Sequence, residues 1–187
     1  SASWGKVIPY GVYDIAANSG WVSVGITHDT AQFAVSAIAT WLKKMGRRRY
    51  PKARQLTITA DCGGSNGARV RLWKVELQKF ADRTGLTIKV LHYPPGTSKW
   101  NKIEHRMFCH ITQNWRGRPL ADRATVVDLI AATKTKTGLK IKSALDTRTY
   151  EKGIKVGKAE MERLDIRGDT FHPEWNYTVM PRTAKSV

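Results

Sequence analysis

The sequence predicts an α/β fold built on a mixed sheet, and three observations carry that prediction. Two β-rich stretches near the start are separated by only a turn, so they should pair antiparallel. Further on, strand-like alternation and helical periodicity take turns, the pattern of strands joined by helical crossovers. Finally, 187 residues, 41% of them hydrophobic, are enough to bury a core without disulfide or metal support.

In chain order, Val12-Tyr13-Asp14-Ile15 and Trp21-Val22-Ser23-Val24 flank the turn formers Asn18-Ser19-Gly20 and read as a hairpin. Asp29 or Thr30 offers an N-cap to a first helix, in which Ala31, Ala34, Ala37, Ile38, Trp41 and Leu42 recur at helical spacing and which should end near Gly46. Leu56, Ile58 and Ala60 alternate with Thr57 and Thr59 in a strand that delivers Asp61 at its end, before the glycines of Cys62-Gly63-Gly64-Ser65-Asn66-Gly67 turn the chain. A second helix over 69–83 places Val70, Trp73, Leu77, Phe80 and Ala81 on one face and stops at Gly85. Leu86, Ile88 and Val90 form the next strand, closed by Pro94-Pro95-Gly96; a third helix from Thr97 or Ser98 to near Trp115 and a fourth over 124–133 follow. The expected division is a core over residues 1–133 and a basic C-terminal extension over 134–187, with a polar loop, a short helix near 158–164 and a strand at 175–179.

Charge narrows the class of partner. Lys and Arg number 32 against 15 Asp and Glu, a net +17, which concentrates polyanions at the surface. Lys43, Lys44, Arg47, Arg48, Arg49, Lys52 and Arg54 form one run without an acid, and Lys134, Lys136, Lys140 and Lys142 a looser second. Trp41, Tyr50, Trp73 and Trp115 border basic residues, which suits phosphate contact with base stacking and equally suits a solvated basic face over a tryptophan-rich core. No apolar run approaches the roughly 20 residues of a membrane span, and the first residues carry no secretory pattern. Cys62 and Cys109 read as free intracellular thiols.

Two carboxylates stand where a purely structural acid is awkward. Asp61 ends an apolar strand ahead of a glycine turn, the place where open α/β sheets put ligand groups, although capping that turn is an ordinary use of aspartate. On a regular helix, with residues about 100° apart, Glu104 falls in the arc of Trp100, Ile103, Met107, Phe108, Ile111 and Trp115 and should face the core. A buried carboxylate should meet a cation, a metal or a hydrogen-bond network; a structural salt bridge to a distant Arg is open, but two inward acids at the open end of a sheet are more economically explained by Mg²⁺ or Mn²⁺. The five histidines lack zinc spacing, the glycine loop lacks the GK[ST] of a phosphate loop, and Ser65 and Cys62 have no evident base.

The stretch His92-Tyr93-Pro94-Pro95-Gly96-Thr97-Ser98-Lys99-Trp100-Asn101-Lys102-Ile103-Glu104-His105 resembles the end of a DDE transposase core of the mariner-like superfamily, in which Asn-x-Ile-Glu carries the third metal-binding carboxylate. Leu56-Thr57-Ile58-Thr59-Ala60-Asp61 looks like the strand bearing the second. The wording of Ile8-Pro9-Tyr10-Gly11-Val12-Tyr13-Asp14, of the segment around Asp61-Cys62-Gly63-Gly64, and of Gln113-Asn114-Trp115-Arg116-Gly117-Arg118-Pro119-Leu120 is similar to the Rhodopirellula-type transposases of bacterial insertion sequences. The resemblance implies a ribonuclease-H-like mixed sheet flanked by helices, lacking its first strand, since the family's first Asp is expected upstream of this segment. Asp14 is the only early carboxylate available in its place.

The resemblance further implies metal-dependent DNA strand cleavage and strand transfer by in-line phosphoryl transfer. Asp61 and Glu104 would be the catalytic and metal-binding residues and Mg²⁺ or Mn²⁺ the cofactor. Lys43, Lys44, Arg47, Arg48, Arg49, Lys99 and Lys102 would lie along DNA, at transposon ends and target. It also implies a homodimer and a prokaryotic cytoplasm, on the nucleoid, with no membrane partner. The alternative is a catalytically incomplete basic nucleic-acid-binding module.

Overall fold

The opening hairpin forms where the alternation places it. In the computed structural model, which describes residues 7–97, 101–108, 123–133 and 135–183, strands β1 (Ile8–Asp14) and β2 (Ser19–Gly25) pair antiparallel with Asp14 opposite Ser19. Asp14 Oδ1 accepts the Ala17 N–H at 3.1 Å, so this acid starts the turn, and Asn18 completes it at φ 49°. On the other side, β2 pairs in parallel with β5 (Lys140–Asp146), giving a three-stranded mixed sheet in the order β1-β2-β5.

The described chain divides into two compact units, each assembled from two separate segments. The first comprises residues 1–29 and 102–151. Its core sets Val22 and Val24 of β2 and Ile141 of β5 against Met107, Leu139, and Val126 and Ile130 of helix α4 (Arg123–Ala131). Gly11 and Gly20 make room for Met107 and Phe108: a Cβ on Gly11 would lie 2.6 Å from Met107 Cε. Past β5, Asp146 accepts the Tyr150 hydroxyl at 2.6 Å and the Arg148 guanidinium at 2.9 Å, and the Tyr150 N–H donates to Thr27 Oγ1 at 3.1 Å.

The second unit comprises residues 30–101 and 152–187. Helix α1 (Ala31–Trp41) is capped by Thr30, whose hydroxyl accepts the Phe33 N–H at 3.2 Å. Gly46 was expected to stop this helix. Instead it passes through a wide π turn (Leu42–Gly46) into a short helix α2 (Arg47–Arg49). Gly46 lies against the Trp41 indole, where a Cβ would meet a ring carbon at 2.9 Å, so the glycine serves close packing and not termination.

Strands β3 (Gln55–Ala60) and β4 (Thr87–His92) are parallel and connected through α3 (Arg71–Thr84), the expected crossover. Helix α3 ends where the sequence says, with Gly85 left-handed at φ 74° and its N–H on Ala81 O at 2.8 Å. Val70, assigned to the helix from its periodicity, is its extended N-cap. The C-terminal part supplies the short helix α5 (Lys158–Glu162) and strands β6 (Ile166–Gly168) and β7 (Asn176–Val179), completing a mixed sheet in the order β3-β4-β7-β6. The strands are thus shared between two mixed sheets, and residues 134–187, expected as an extension, contribute to both. This mixed α/β architecture of sheets and flanking helices is the fold class the sequence predicts.

Two carboxylates tie the late segments down. Asp82 on α3 receives the Arg182 guanidinium at 2.7 and 2.9 Å and the Arg182 N–H at 2.7 Å. Burial alone would raise the Asp82 and Asp146 pKa values; hydrogen bonds outweigh it, from Arg182 and Gln78 on Asp82 and from Arg148 and Tyr150 on Asp146, and both end below the ordinary carboxylate value. A carboxyl lowered in the folded state stabilises above its unfolded pKa of about 3.9, and that contribution is lost as pH falls through the folded value. Thermal stability is therefore expected to fall below about pH 4. The Asp82→Asn and Asp146→Asn variants should each show a shallower acid slope in melting curves from pH 6 to pH 2, and an unchanged slope would contradict the linkage.

Candidate functional site

Strand β3 alternates outward threonines with inward aliphatics and ends on buried Ala60, which leaves Asp61 as the first residue past the sheet, half-buried. The loop behind it is closed by the Ala68 N–H on Cys62 O at 3.0 Å. Gly67 is obligatory there, since a Cβ would lie 2.8 Å from Cys62 O.

Five side chains of the second unit converge on Asp61, three directly and two in relay. Asn101 Nδ2 donates to Oδ1 at 3.1 Å, from a residue only 8% exposed. Asn66 Nδ2 donates to the Asp61 carbonyl at 3.4 Å, and His92 Nδ1 lies 3.0 Å from the same oxygen. His92 is 4% exposed, and its Nε2 is 2.8 Å from the Tyr177 hydroxyl, which accepts the Trp73 indole N–H at 2.8 Å. Burial lowers the His92 pKa; the Asp61 carbonyl raises it and the Lys74 charge lowers it further, with the net value below the ordinary histidine range. Lys74 Nζ stands 5.0 Å from the Tyr177 ring centre, and its own pKa is lowered by burial. Burial also raises the Tyr177 phenol. Hydroxyl and imidazole both serve as hydrogen-bonding parts.

Glu104 belongs to the first unit and differs from the expectation. It opens a π-helical stretch (Glu104–Phe108), and its side chain is exposed. A π turn holds more than four residues, so the angle per residue falls below the 100° assumed for a regular helix. Met107 goes fully inside, Ile103 and Phe108 partly inside, and Glu104 is left on the solvent side with Lys102 and Arg106. The inference that burial forces a partner on Glu104 therefore fails, while an exposed carboxylate remains accessible to a cation. Among the described residues no group of three or more His, Cys, Asp or Glu side chains forms a metal-binding cluster.

The basic residues are partly committed elsewhere. Lys43, Lys44, Arg48 and Arg49 are exposed around the π turn and α2, whereas half-buried Arg47 donates to Ala53 O at 3.3 Å and Thr84 O at 3.4 Å. Lys140 and Lys142 share the outer face of β5, on either side of buried Ile141. Lys99 and Cys109 fall outside the described residues; Cys62 is a free thiol. Among the described residues no helix is long and apolar enough to cross a membrane.

The model of the Rhodopirellula transposase DDE domain family matches residues 1–181. This chain belongs to that family. No curated protein and no solved structure matches it. The transposase domain is accordingly a DNA-acting protein of a class that uses divalent metal ions, and a member of the polynucleotidyl transferases. Within it, Asn101 of Asn-x-Ile-Glu is the residue the sequence reading passed over. It is the one that meets Asp61, and a polar residue opening an otherwise apolar-spaced helix was the available signal.

Proposed function

We propose that this transposase domain carries two carboxylates, Asp61 and Glu104, of a site for DNA strand cleavage and strand transfer by in-line phosphoryl transfer. The observation that supports it is the Asp61 carboxylate, which is held through Oδ1 by Asn101 while Oδ2 accepts no hydrogen bond among the described residues. Hard, tethered carboxylate oxygens fit Mg²⁺ or Mn²⁺. Ions of this kind lower the pKa of an attacking hydroxyl or water and neutralise the leaving oxygen. The chain's own part is to hold the carboxylates in place and to grip the DNA backbone through Lys43, Lys44, Arg48, Arg49 and Lys102, with Arg47 contributing what its two internal hydrogen bonds leave free. Such contacts position DNA and read no sequence.

One rival is a catalytically incomplete basic nucleic-acid-binding module, which the exposed cations Lys43, Lys44, Arg48 and Arg49 would serve equally well. Titration with Mn²⁺ alone, followed by nicking of supercoiled plasmid, separates the two. Mn²⁺ binding with nicking supports the enzyme, and DNA binding without nicking supports the module.

Both readings share one further expectation. The logarithm of the DNA association constant should fall linearly with the logarithm of salt, by about 0.9 per phosphate neutralised. Replacing Lys43, Lys44, Arg48 and Arg49 with Gln should make that slope shallower by up to about four such units. A slope that does not change with the replacements would remove this surface from the interface.

A further inference from the structure

With the His92 ring neutral, the chain of groups behind Asp61 has one self-consistent arrangement of protons. An indole N–H only donates, so Tyr177 accepts from Trp73 across 2.8 Å. A carbonyl oxygen only accepts, so His92 Nδ1, 3.0 Å from Asp61 O, carries the ring proton. In the neutral ring Nε2 is then an acceptor, and it takes the Tyr177 hydroxyl proton across 2.8 Å. Each donor thus points one way, from α3 through β7 and β4 to the end of β3, and every buried polar atom in the series is used.

The series ends on the peptide plane that follows Asp61, which Asn66 also reaches, while Asn101 fixes the carboxylate itself. An aspartate that merely capped the glycine turn would need neither clamp. We propose that His92 is a positioning residue for Asp61: its Nδ1–H fixes the backbone from which the carboxylate projects, and Tyr177 and Trp73 fix the histidine. This rests on the metal-site reading of Asp61. It extends that reading to groups that touch neither DNA nor metal.

The test compares two replacements of one residue. His92→Asn keeps an N–H donor near the place of Nδ1, and His92→Leu removes it; both abandon Tyr177 and should lower the melting temperature alike. Metal-site partners outside the coordination sphere typically contribute 10- to 100-fold. In Mn²⁺-dependent plasmid nicking by the transposase, His92→Leu should therefore lose about 10- to 100-fold and His92→Asn should recover most of that loss. Asp61→Ala is run beside them. If Asp61→Ala abolishes nicking while the two His92 variants nick equally, in step with their stability, positioning is overturned and the metal-site reading stands. If Asp61→Ala nicks normally, the metal-site reading fails, and the positioning proposal with it.

Discussion

Asp61→Ala is expected to lower Mn²⁺-dependent strand cleavage by more than about 100-fold, since loss of an outer partner alone costs a metal site about 10- to 100-fold. Glu104→Ala should do the same. DNA affinity, assigned under the proposed function to surface cations, should stay within about threefold or rise slightly as a negative charge is removed. Cleavage by single-turnover kinetics and affinity by fluorescence anisotropy, at one fixed salt concentration, give both quantities. Exposure of Glu104 makes its variant the cleaner experiment: little packing is lost, so a fall in cleavage cannot be assigned to unfolding. Cleavage at the parental rate in either variant would exclude that residue from the site.

Trp73→Ala is expected to be the most destabilising single replacement in the second unit. Trp73 is fully buried on α3, and truncating such a side chain costs about 3–5 kcal/mol. It would also remove the donor to Tyr177. Total stabilities are about 5–15 kcal/mol, so the variant should lose a large share of its folded population margin. Trp73→Phe separates the two effects, keeping most of the volume but leaving the Tyr177 hydroxyl one partner short, at about 1–3 kcal/mol. Urea denaturation midpoints measure both, and equal costs for Ala and Phe would show that packing around the indole is not what holds α3.

Where each residue's environment is set by its near neighbours, the sequence was readable. The hairpin, the Thr30 cap, the Gly85 stop and the strand that ends at Asp61 all follow from side chains within a few positions of one another. The misreadings have long-range or geometric causes. The Glu104 wheel assumed a regular turn, and the π geometry that admits Met107 against Gly11 and Gly20 depends on a sheet about ninety residues away. Strand β5 was hidden by its charge: Lys140-Ile141-Lys142 alternates with period two, but a solvated basic loop has the same composition. Asn101 and Asp61 are 40 positions apart, so a polar residue at the start of an apolar-spaced helix signals a buried partner without naming it. His92 left a trace, since it occupies the inward register of Ile88 and Val90, where a polar side chain must find buried partners.

The way each unit borrows a distant segment constrains how the protein can come into being. As synthesis proceeds, β2 must wait for β5 and β4 must wait for β7, so neither sheet can finish while the ribosome is still making the first 133 residues. Until then β2 and β4 each expose a ladder edge, the surface on which nascent strands aggregate. A polypeptide ending at residue 133 is therefore expected to accumulate in the insoluble fraction, and the late strands are as much a requirement for production as for the finished fold.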